Sequence, residues 1–133
     1  MTTFFKLYGI AFVVFFVIDL IWLGLVAKKL YQREIGQLLK PDVNWVAAMI
    51  FYALFIAGLV VFVLMPGVDA NSVSKVMLLG AFFGLVSYAT YDLTNLATMK
   101  DFTLKITLID LSWGTFLGFA TSTLSYLIYQ ALH

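Results

Sequence analysis

Four apolar runs, near residues 5–27, 45–65, 76–98 and 104–130, each match the roughly 20 residues that a helix needs to cross a bilayer's hydrocarbon. Lipid offers no water to backbone N–H and C=O groups, so such runs must satisfy those groups internally, as helices do. A chain of 133 residues has room for these spans and short connections and for little else. The expected fold is all-α: an integral membrane four-helix bundle, forming a single transmembrane domain over residues 1–133. Composition points the same way, with 63% hydrophobic and only 11% charged residues. The first run is too long for a signal peptide and no small-residue cleavage motif follows it, so it is read as a retained span. The second carries no charge from Trp45 through Met65, and Pro66-Gly67 predicts its end. A plain turn is expected from Pro66 to Ser74, while Tyr8 reads as an interfacial anchor.

Orientation follows from the basic residues. Lys28, Lys29, Arg33, Lys40, Lys100 and Lys105 fall on the side of the first and third connections, whereas only Lys6 and Lys75 fall on the other. The positive-inside rule then puts those two connections in the cytoplasm and both termini outside. Between Lys28 and Asn44, Tyr31, Ile35, Leu38 and Leu39 recur at helical spacing among Lys, Arg, Gln and Glu, predicting a short interfacial amphipathic helix between the first two spans. A net charge of +1 and no clustered basic surface argue against nucleic acid, leaving membrane lipids as the default partner. Without cysteine there is no thiol chemistry to use, and the one histidine, His133, sits at a chain end, a poor place for the precise geometry of a His-dependent triad.

Three aspartates, Asp19, Asp92 and Asp110, interrupt the apolar runs. A carboxylate within hydrocarbon costs about 2.5–3.5 kcal/mol even on lenient insertion scales. Counting along alternating spans puts all three roughly 9–12 Å from the cytoplasmic surface. Helical spacing sets Tyr88, Asp92 and Asn95 on one stripe of the third span, Asp110 with Trp113 and Gly114 on the fourth, and Asp19 with Trp22 on the first. Since lipid would leave these polar atoms unsatisfied, they should face the bundle interior. The expected site is a cavity or polar knot of Asp19, Trp22, Tyr88, Asp92, Asn95, Asp110 and Trp113, reachable from the cytoplasm. So many neighbouring carboxylates cannot all carry charge unless a proton or positive ligand sits among them. A hard ion such as Na⁺ or Mg²⁺ would suit the oxygens, and an organic cation would suit the tryptophan faces. Gly80 and Gly84 form a small-xxx-small pair, read as internal packing.

Gly80-Ala81-Phe82-Phe83-Gly84, the run Tyr88-Ala89-Thr90-Tyr91-Asp92-Leu93-Thr94-Asn95-Leu96-Ala97-Thr98 and Asp110-Leu111-Ser112-Trp113-Gly114-Thr115 together resemble the bacterial membrane protein family known as domain of unknown function 2177. Asp19 and Trp22 through Gly24 fit its amino-terminal pattern, so the resemblance covers nearly the whole chain. It implies a small bacterial inner-membrane protein and no particular activity. The leading expectation is a transporter-like or proton/cation-handling protein, working as a homodimer because four helices are few for a transport path. One alternative is a lipid-modifying enzyme using an acid pair with a divalent ion. Another is a non-catalytic subunit of a larger membrane complex, its acids tying helices together at about 0.6–2 kcal/mol per bond. The balance favours a non-enzyme; no catalytic or metal-ligating residue is assigned, and no cofactor is called for.

Overall fold

The computed structural model describes residues 2–22, 24 and 45–132; the predicted interfacial helix between Lys28 and Asn44 lies outside them. Helix α1 covers Thr2–Trp22. Helix α2 starts as Trp45–Leu59, passes through a π-helical turn at Val60–Leu64 and ends as Met65–Ala70. Helices α3 (Val73–Thr98) and α4 (Leu104–Leu132) complete a bundle without strands among the described residues.

Helices α1 and α3 each bury one stripe of residues four positions apart, and α2 buries two short, wholly apolar ones. On α1 the stripe is Leu7, Ala11, Phe15 and Asp19; on α3 it is Val76, Gly80 and Gly84, reaching Asp92 two further steps along. Helix α2 buries Phe55, Leu59 and Val63 beside Ile56, Val60 and Leu64. Four residues turn a helix a little past one revolution, so these positions stack into a slowly winding ridge that a neighbour can follow. Outward positions such as Phe5, Val17, Leu54, Phe62, Leu78 and Phe82 are exposed and apolar, as a lipid-facing surface requires.

Helix α4 differs. It buries two such ridges, one through Ile106, Asp110, Gly114, Gly118, Ser122 and Tyr126, the other through Leu117, Thr121, Ser125 and Tyr129. It packs most extensively on α3 and next on α1, and so forms the inner member of the bundle. Shielded by its neighbours, it tolerates Ser, Thr, Tyr and Asp. By composition, three of the four described helices are both long and apolar enough to cross a membrane: Thr2–Trp22, Val46–Ala70 and Val73–Thr98.

The α3–α4 seam depends on glycine. A Cβ on Gly84 would strike the Gly114 carbonyl, one on Gly118 the Gly80 carbonyl and the Gly84 backbone, and one on Gly80 the Gly118 carbonyl and Ser122. Backbone thus meets backbone, and Gly80 and Gly84 serve internal packing.

Helix α2 does not stop at Pro66-Gly67. The π turn immediately before Pro66 widens the helix where the missing N–H and the ring would disturb an α-helical turn. The helix continues to Ala70, with Gly67 packed so closely on Val76 that a Cβ would not fit. The chain reverses at Asn71, which takes a left-handed φ of 51° and sends its N–H to the Val68 carbonyl at 3.1 Å. Ser72 then caps α3 by accepting the Lys75 N–H at 3.2 Å, and Tyr126 donates to the Asn71 side chain at 3.3 Å. Tyr8 does more than mark a membrane boundary: its hydroxyl donates to the Ala53 carbonyl at 3.2 Å, tying α1 to α2.

Candidate functional site

Moving from the seam toward the α3–α4 connection, side chains along the same ridges grow and the helices open around a cavity of about 390 Å³. All four helices contribute. Asp19 and Trp22 come from the end of α1, Ala48, Phe51 and Tyr52 from the start of α2, Ser87, Tyr88 and Tyr91 from α3, and Asp110 and Trp113 from α4. An aromatic floor separates this space from the apolar core. Phe15 lies 5.4 Å from Tyr52 and 5.5 Å from Phe55, ring centre to ring centre, and Phe55 meets Tyr88 edge-on at 6.4 Å.

The carboxyl groups reach the site from different backbones. Asp19 ends the buried stripe of α1 and lies within hydrogen-bonding reach of the Tyr52 hydroxyl. Asp110 is the second residue of a buried ridge of α4 that starts at Ile106, whose N–H Thr103 accepts at 3.1 Å in the cap of the helix. Asp92 is fully buried and does not line the cavity; its carboxyl faces that of Asp110 from behind the wall. Both Asp92 oxygens lack a hydrogen-bond donor among the described groups. Tyr88 sits between these acids, within electrostatic range of Asp19, Asp92 and Asp110, and its ring covers Gly114 so closely that a Cβ there would collide with it. The small residue after Trp113 therefore makes room for the phenol that the acids share.

Trp22 and Trp113 stack almost parallel, with centres 4.4 Å apart and an angle of 9°. The stack joins the end of α1 to α4 and occupies one wall, beside which Trp113 also meets Phe116 at 5.8 Å. Asn95 stands away from the cavity, near Tyr91, and its carbonyl accepts the Met99 N–H at 2.7 Å at the end of α3. Its helical phase with Asp92 is as expected, yet it lies one turn too far toward the connection to reach the space.

Five of the expected residues, Asp19, Trp22, Tyr88, Asp110 and Trp113, thus line one cavity, with Asp92 behind it and Asn95 to one side. Sequence reading missed Tyr52, Tyr91, Ser87, Phe51 and Ala48. Tyr52 could have been found by extending the four-residue stripe of α2 back from Val60 through Ile56, and Tyr91 by its place three residues after Tyr88. Among the described residues no group of three Asp, Glu, His or Cys side chains is arranged to hold a metal ion.

No curated protein and no solved structure matches the chain. A family profile described as "Predicted membrane protein (DUF2177)" matches residues 4–127. The chain, a helical bundle with three helices apolar enough to cross a membrane, belongs to that membrane protein family.

Proposed function

We propose that this is a transporter-like protein of the bacterial inner membrane that holds a proton or a small cation at the carboxyl-lined cavity. The observation that carries the reading is that Asp19 and Asp110, from two different helices, line one space together with Tyr88, which lies within electrostatic range of all three acids. Asp19, Asp92 and Asp110 would act as one unit, Tyr88 linking them. The number of acids favours this over simple helix tying, for which one or two hydrogen bonds would suffice, whereas Asp19, Asp92 and Asp110 gather at one end of the bundle. In the orientation set by the basic residues, both termini lie outside and the cavity lies nearer the cytoplasmic face. A homodimer supplies the additional walls that a transport path needs.

The test uses purified protein in proteoliposomes carrying an internal pH dye. Imposed proton and Na⁺ gradients should relax faster with native protein than with Asp19→Asn or Asp110→Asn variants that keep the native size-exclusion profile. Identical relaxation in native, variant and empty vesicles would remove the reading. Labelling of a cysteine placed at each terminus by an impermeant reagent checks the orientation.

A further inference from the structure

We propose that the cavity binds a monovalent organic cation, an ammonium ion carrying apolar substituents, with Asp19 and Asp110 supplying the countercharge and Trp22, Tyr52, Tyr91 and Trp113 the apolar and π-electron wall. This rests on the cation-handling reading and names the class of cation.

Three observations carry it. The first is size. A space of about 390 Å³ falls within the roughly 300–1,000 Å³ of small-molecule sites and far exceeds the about 30 Å³ of one water. A bare ion would leave most of it to be filled by something else.

The second is the chemistry of the lining. Ca²⁺ takes six to eight oxygens and Mg²⁺ a near-ideal octahedron. Here the cavity presents two carboxyl groups from separate helices and a wall otherwise made mostly of rings. Aromatic faces attract a cation brought within about 6 Å of the ring centre, more strongly when water is excluded, and also bury the apolar groups around its charge. Because Trp22 and Trp113 cover one another, their edges and outer faces, with the tyrosine rings, are what a guest would meet.

The third is Asp92. Fully buried and facing the Asp110 carboxyl from behind the cavity wall, it crowds a second acid onto one that lines the space. A positive guest beside Asp110 offsets the cost of keeping these groups together out of water. A neutral guest of the same shape gains no such term.

The native protein in lipid nanodiscs provides the test, read by calorimetry and tryptophan emission, with choline as probe and 3,3-dimethylbutan-1-ol as its uncharged isostere. Choline should bind saturably and at least about tenfold more tightly than the alcohol, with emission changing as the Trp22–Trp113 stack is perturbed. Asp19→Asn and Asp110→Asn should each weaken choline at least about tenfold, and Trp113→Leu by several-fold. Equal binding of the alcohol would overturn the proposal, showing a merely apolar space. Saturable Na⁺ or Mg²⁺ binding lost in the same variants, with no choline binding, would overturn it while leaving the cation-handling reading in place. If neither choline, Na⁺ nor Mg²⁺ binds the native protein, the proposal and the small-cation reading both fall, and proton flux in the proteoliposomes alone decides the proton reading. The choline and alcohol comparison needs no variant, so misfolding of a mutant cannot obscure it.

Discussion

The two halves of the α3–α4 pair follow one geometric rule and reach opposite results. Near the Asn71 turn the paired ridges carry Gly80, Gly84, Gly114, Gly118 and Ser122, and the two backbones touch. Toward the other end the same ridges carry Tyr88, Asp92 and Asp110, and the bundle opens around a cavity. Residue size along a fixed four-residue stride thus decides where this bundle seals and where it is hollow. The sealed half is built for packing, whereas the hollow half brings carboxyl groups from three helices to one end of the bundle.

The sharpest way to break this contrast is Gly84→Leu. Its side chain would be driven into the Gly114 backbone, which no rotamer can avoid, so we expect a loss of about 3 kcal/mol or more and a fall in the thermal midpoint in detergent. Trp113→Leu, in the hollow half, should cost about 1.5 kcal/mol as the stack with Trp22 is lost, and should shift tryptophan emission without unfolding the bundle. Asp92→Asn should behave differently from both. Its new N–H₂ can donate to Asp110, so the thermal midpoint should hold or rise, by about 1 kcal/mol at most, while cation-dependent flux falls. Loss of stability in Asp92→Asn would mean that this end too is built for packing. The smallest expected change is Gly9→Ala: Gly9 has nothing within 4 Å of an added Cβ, so helix propensity alone should stabilise α1 by about 0.5 kcal/mol.

What could be read from the residues alone divides along the same line. A carboxylate in an apolar run is a strong signal, and helical spacing links it to neighbours on its own helix; Asp19 with Trp22 and Asp110 with Trp113 needed nothing more. The rotation of one helix against another is not encoded in spacing, so the residues alone do not say that Tyr52 faces Asp19, toward which α2 turns it. Asp92 and Asn95 show the finer limit, since sharing a stripe with Tyr88 does not establish which residues on it reach the cavity. The hydroxyls and glycines of α4, many of them buried, keep it less apolar than the other described spans, a difference that the count of apolar runs did not draw out. Pro66-Gly67 misled, being a break signal by composition that a local widening of the helix absorbs.

That widening has a further bearing on the cavity. The five-residue turn Val60–Leu64 accommodates one residue more than an α-helical path would use. Regular α-helical winding of these same residues would swing the preceding half of α2 by about 100° relative to the part that docks on Val76. Ala48 and Tyr52 would then leave the cavity wall for the lipid, and Asp19 would lose its phenol although every residue around it was unchanged. The phase of the site is thus set some 12 Å away along the helix, by an irregular turn that touches none of the acids.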